Sequence, residues 1–200
     1  MNTYIEKTFE IPELKGISSK NIEEHLKLYS GYVKHSNLIQ EKLNSLTNDD
    51  SYIKAELQRR FSFEFCGMRN HELYFESLVG GASEIPTDSI FYSHIVRDFG
   101  NVENFFTKLK ETAMTRGIGW AMLSYDTTFD HMVLSWVDEQ HIGQLYNVFP
   151  VYNIDMWEHS FVADYMPSGK KQYVEDYVSN TNFNFIAKRY DAFFNNLKAI

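Results

Sequence analysis

The sequence predicts an α+β fold, an N-terminal antiparallel helical hairpin followed by a C-terminal part in which a three-stranded antiparallel sheet is flanked by helices. Three observations predict it. Apolar residues recur at helical spacing through the first half, a Gly- and Pro-punctuated stretch "VGGASEIPTDS" follows, and beyond Gly117 come short segments rich in β-branched and aromatic residues. The boundary falls in the punctuated stretch, giving parts spanning 1–84 and 85–200.

From Ser18 to about Leu46, residues Ile22, Leu26, Tyr29 and Val33 share one helical face, and Ser18 or Ser19 supplies an N-cap. The polar "TNDDS" ends that helix, and a second runs from about Tyr52 to Leu78. "SIFYSHIVRDFGNVENFFTKLKETAMTRG" continues as helix broken at Gly100. The segments "GWAMLSYD", "HMVLSWVD" and "NVFPVYNID" read as strands, with "DTTFD" as the hairpin turn between the first two. A helical region from about Lys170 to Leu197 closes the chain, and there is no internal repeat.

Composition excludes several classes. The 200 residues are 44% hydrophobic and 16% aromatic, ample for a packed core. A net charge of -8 argues against nucleic-acid binding, which needs clustered Lys and Arg; Arg59-Arg60 and Lys170-Lys171 read as solvated surface. No apolar run approaches the roughly 20 residues that span a bilayer, and the start lacks a charged region followed by an apolar one, so a cytoplasmic protein is expected. The single Cys66 forms no internal disulfide, reads as a small buried residue and fits a reducing compartment.

His25 lies in the first helix, His71 in the second, and Asp155 with His159 follow the third strand-like segment. One histidine on an apolar helix face is more often a satisfied core or surface residue than a ligand. Three imidazoles and one carboxylate from separate elements are a more specific combination, suited to a first-row metal with an open coordination position.

Four stretches, "IEEHLKLYSGYV", "FCGMRNHELYFESL", "GIGWAML" and "IDMWEHSFVADY", resemble the iron/manganese superoxide dismutases, and the resemblance runs over nearly the whole chain. The last is similar to that family's D-x-W-E-H-x-x-x-x-D-Y signature. The resemblance implies that His25, His71, Asp155 and His159 bind one Fe or Mn ion per subunit, and that the reaction is conversion of superoxide to oxygen and hydrogen peroxide. That reaction requires one-electron cycling, which excludes zinc. Neither metal is selected, although Gly67, where some members have Gln, leans toward manganese.

With Gly67 offering no side chain, the hydrogen-bond donor to metal-bound solvent is expected from "WVDEQHIGQ", with His141 favoured over Gln140. Tyr29 and Tyr32, four and seven positions after His25, both share its helix face, and either could serve as the tyrosine guarding substrate access. Trp120 and Trp157 match residues that wall the metal pocket, whereas Trp136 and the "ENFF" segment read as plain core. Glu158 implies a homodimer, since in the family it bonds the neighbouring subunit's counterpart of His159. Val162 departs from the family, standing where many members have a Tyr that links the subunits. The family's Arg beyond the D-Y pair is also missing, because Met166 and Pro167 follow Tyr165, and Lys170 or Lys171 would supply the field that steers an anion. His35, His94 and His131 receive no role. A metalloprotein on the same scaffold with altered or no dismutase activity is the alternative, while a metal-free relative is disfavoured by the intact ligand set.

Overall fold

The computed structural model describes residues 3–197, so the expected parts over 1–84 and 85–200 run past the described residues at both ends. Helix α1 (Ser19–Ser45) is capped by the Ser18 side chain accepting from the Asn21 N–H, and it buries Ile22, His25, Tyr29, Val33 and Ser36 along one stripe. After a short 3-10 turn, α2 (Ser51–Glu76) packs against α1 and buries the run from Met68 to Phe75 save Arg69. His25 and His71 therefore face each other because each stands on the apolar stripe of its own helix.

Helices α3 (Ile90–Phe99) and α4 (Val102–Ala113) meet at Gly100, whose φ of 85° is the left-handed conformation that ends a helix cheaply. The strands β1 (Gly119–Asp126), β2 (His131–Asp138) and β3 (Val148–Asp155) form an antiparallel sheet in the order β2-β1-β3. Asp126 accepts from the Thr128 and Phe129 N–H groups and so builds the expected turn after β1. A 3-10 turn over Glu158–Ser160 and the single-turn α5 (Val162–Tyr165) lead to α6 (Lys170–Asn180) and α7 (Phe183–Leu197).

The closing helical region thus consists of two helices. Ser83 of the linker pairs with the break: its N–H donates to Thr181 O, and Phe183 N–H donates to Ser83 O. The backbone groups that a continuous helix would have satisfied internally are bonded to the linker instead. One cluster of buried residues runs from Leu14 through the hairpin and the sheet to Phe194.

Two side chains differ from their expected settings. Trp136 is partly buried rather than plain core: it packs against the core cluster, while its Nε1–H donates to Asp138 and its ring lies beneath the Lys170 ammonium. Cys66 is half-buried rather than fully buried, and burial still raises its thiol pKa. Phe105 of "ENFF" is fully buried as expected. No helix among the described residues is long and apolar enough to cross a membrane.

Candidate metal centre

His25 and His71 arrive from the hairpin, Asp155 from the end of β3, and His159 from the 3-10 turn that follows. One donor atom from each lies within 4.8 Å of all the others. Asp155 Oδ2 is 3.1 Å from His25 Nε2, 3.1 Å from His159 Nε2 and 3.6 Å from His71 Nε2. The first three residues are buried, and the His159 side chain keeps 22% exposure.

Two of the donors are held by specific contacts. His71 Nδ1–H donates to Gly67 O at 2.6 Å, which fixes the tautomer and leaves Nε2 as a buried lone pair without a hydrogen-bond partner. Trp157 N–H donates to Asp155 Oδ1 at 2.8 Å, aiming Oδ2 at the imidazoles. Burial, then the neighbouring His25, push His71 down to about 3. Burial also pushes the Asp155 carboxyl upward, but the His159 and His25 imidazoles outweigh it and hold the group well below the carboxylate range. Burial thus biases His25 and His71 toward the neutral imidazole while Asp155 is held as a carboxylate, the protonation that metal binding requires.

Beside the cluster lies a chain of hydrogen bonds. Trp120 Nε1–H donates to Gln140 Oε1 at 3.0 Å, and Gln140 Nε2–H donates to Tyr32 OH at 2.9 Å. Trp120 pairs with Asp155 across the sheet, its ring centre 5.0 Å from that of His71; the Tyr32 ring also lies 5.0 Å from His71. Gln140 is fully buried between Trp120 and Tyr32. His141 is turned instead toward Phe63, 5.8 Å between ring centres. The reason is the loop after β2: Trp157 Nε1–H donates to Glu139 O and Asn70 Nδ2–H donates to Gln140 O, which together rotate residue 140 inward and residue 141 aside.

The tyrosines separate just as cleanly. Tyr32 faces the cluster, whereas the Tyr29 hydroxyl points the other way, donating to Glu72 and accepting from Lys7 N–H. Gly67 explains how Tyr32 fits: a Cβ there would stand 2.6 Å from its ring. The Trp157 ring lies 5.8 Å from His159. Glu158 is exposed in the isolated chain, and Lys170 is tied to Thr115 O.

Asn70 and Asn153 had been assigned nothing by sequence. Both are buried; Asn153 Nδ2–H donates to Asn70 O while Asn70 reaches Gln140 O, so two amides couple α2, β3 and the Gln140 loop. Their nearness to His71 and Asp155 in the chain was the available signal.

Fold and cluster together define the class: an α+β protein whose helical hairpin and sheet converge on four metal-donor side chains. The family model described as iron/manganese superoxide dismutases, C-terminal domain, matches residues 87–189. The iron superoxide dismutase of Aquifex pyrophilus is 31% identical over 186 residues, covering 89% of this chain and 86% of that one. That of Cupriavidus metallidurans is 32% identical, covering 92% and 93%, and the Mn/Fe superoxide dismutase of Aeropyrum pernix is 26% identical, covering 97% and 96%. The chain belongs to the iron/manganese superoxide dismutases.

The residues present fit the ion that this family implies. Donors bonded to one ion at about 2.1 Å stand roughly 3.0–3.5 Å apart, the spacing Asp155 Oδ2 keeps from all three imidazoles within a few tenths of an ångström. The buried, unpartnered His71 Nε2 is a lone pair that only a cation or a proton donor would satisfy.

Proposed function

We propose that the protein is a superoxide dismutase in which His25, His71, Asp155 and His159 hold one iron or manganese ion per chain. The observation that carries this reading is the convergence of those four donors on one point beside the Trp120–Gln140–Tyr32 chain. When bound, the ion supplies one-electron exchange between its divalent and trivalent states, so that one superoxide is oxidised to oxygen and a second is reduced to peroxide. Zinc lacks that redox chemistry.

The chain's own residues supply charge balance, protons and access. Asp155 contributes one negative charge to the centre, which leaves a cationic site able to attract an anion. Reduction of superoxide to hydrogen peroxide consumes two protons. Gln140 donates its amide N–H to the Tyr32 oxygen, leaving the Tyr32 O–H free to donate toward the cluster. Burial and the Asp155 charge push the Tyr32 hydroxyl far above its ordinary value, so it keeps its proton at neutral pH and stays a hydrogen-bond donor. Trp120 fixes the amide so that its nitrogen, and not its oxygen, faces Tyr32. Trp120 and Trp157 wall the site against bulk water.

A homodimer belongs to this reading, supported by exposed Glu158 beside the partly exposed His159 ring, each able to meet its counterpart in a second copy. A cytoplasmic location is the accompanying reading, supported by the free Cys66 thiol. The test is reconstitution with iron and with manganese separately, followed by elemental analysis and dismutation assays. One ion per chain and dismutation with at least one metal are expected. His71→Ala should lose most of the bound metal; full occupancy in that variant would sink the ligand assignment.

A further inference from the structure

A groove between α1 and α2 opens beside the metal-donor cluster. Its floor includes Tyr32 and Trp157, whose rings flank His71 and His159, and its rim carries Lys42, Arg60 and Glu64. Glu64 is an unwelcome neighbour for an anion. Its side chain is only 6% exposed, and its charge is felt at the Tyr32 hydroxyl. A carboxylate so poorly hydrated projects its field into the groove with little screening.

Arg60, one helical turn earlier, answers it. Its Nε–H donates to Glu64 Oε1 at 2.7 Å, and its guanidinium carbon lies 4.0 Å over the Phe63 ring, which fixes the group at the rim. The Arg60 side chain keeps 53% exposure, so one face of the cation stays open to solvent. Two cations against one carboxylate leave this rim net positive on a chain whose net charge is -8. Of the two lysines expected to steer an anion, Lys170 and Lys171, Lys170 is bonded to Thr115 O and lines a different depression together with Glu158.

We propose that Arg60 is a positioning residue for anion entry: it cancels the buried Glu64 charge and gives the α1–α2 groove the positive rim through which a small monoanion reaches the cluster. This rests on the dismutase reading for its substrate, superoxide, but the electrostatic claim covers any small monoanion. Apolar walls such as Leu38, Leu57 and Phe63 screen such a field poorly, so changing the local charge acts on entry and binding rather than on the chemistry at the metal.

The experiment uses the metal-loaded protein and azide as the anionic probe, with binding read by the change in metal absorbance. Arg60→Gln should weaken azide binding, on the order of tenfold at low salt, and should remove most of its salt dependence. Glu64→Gln should tighten binding, and the double variant R60Q/E64Q should return close to wild type, since it removes both charges of the pair. Arg60→Lys should rescue most of the affinity. The double variant and Arg60→Lys keep the test decisive if Arg60→Gln alone folds poorly with Glu64 left unpaired. In dismutation assays kcat/KM should fall in Arg60→Gln more than kcat does. Wild-type azide affinity and salt dependence in Arg60→Gln, or no recovery in the double variant, would overturn the proposal. The azide pattern appearing in a protein without dismutase activity would support it while rejecting the dismutase reading; dismutation with azide binding indifferent to Arg60 would do the reverse.

Discussion

At the scale of single residues the informative contrast is between neighbours. Gln140 and His141 both carry donors, yet only Gln140 is clamped between Trp120 and Tyr32. Gln140→Leu is expected to keep its metal but to shift the reduction potential and slow turnover by roughly 10- to 100-fold, because the residue tunes the site without building it. His141→Leu should leave both near wild type. Metal content, potential and rate measured together decide the matter; an unchanged potential in Gln140→Leu would remove it from the mechanism. His71 carries a second prediction. Its folded value lies at about 3, below its ordinary 6.5, so below pH 6.5 the unfolded chain takes up a proton that the folded chain refuses. The contribution is whole above pH 6.5 and is lost progressively as the pH falls toward 3. The urea midpoint of the metal-free protein should decline over that window, and a flat midpoint between pH 7 and pH 5 would contradict it.

At the scale of elements, the hairpin works because α1 and α2 approach closely where the site needs it. Gly67 stands four residues before His71, offering its carbonyl to the His71 ring and its bare Cα to Tyr32. Gly67→Ala would put a methyl group 2.6 Å from the Tyr32 ring. We expect overpacking to cost about 1–3 kcal/mol, more than the gain in helix propensity of about 1 kcal/mol returns, and Tyr32 to be pushed off Gln140. Thermal unfolding and the dismutation rate should fall together in this variant. A rise in melting temperature with unchanged rate would mean that Tyr32 moves aside freely.

At the scale of the whole molecule, three of the four donors are buried inside the chain, whereas the fourth, His159, is partly exposed beside exposed Glu158. In a dimer each Glu158 would accept from the imidazole of the other copy. Glu158→Ala should then leave that imidazole unpaired, at a cost of about 1–3 kcal/mol per contact, and raise the dimer dissociation constant about tenfold or more. Light scattering across a dilution series checks it, and a monomeric wild type at micromolar concentration would remove the premise. In such a dimer Val162 could offer only an apolar contact, so this carboxylate would bear more of the polar pairing.

Whatever is local was legible in the sequence. The stripe Ile22, His25, Tyr29, Val33 specified both α1 and the face on which His25 would be buried; the strand ends fell within one residue of their motifs; and the spacing from Asp155 to His159 carried the signature. These features follow from 3.6-residue and two-residue periodicity, which a chain displays before it folds. What only the tertiary structure decided is which of two chemically similar neighbours faces the site. Tyr29 and Tyr32 both lie on the His25 face of α1, and their fates diverge because Glu72 and Lys7 engage one hydroxyl while Gln140 engages the other. Gln140 faces Tyr32 and His141 faces Phe63 because Asn70 and Trp157, 70 residues before and 18 after their respective partners, clamp a loop that has no periodicity of its own. The closing helices likewise divide where a linker nearly a hundred residues earlier supplies hydrogen bonds. Hydrogen bonds between segments so distant in sequence leave no local pattern, so side-chain direction in loops is settled only when the elements dock.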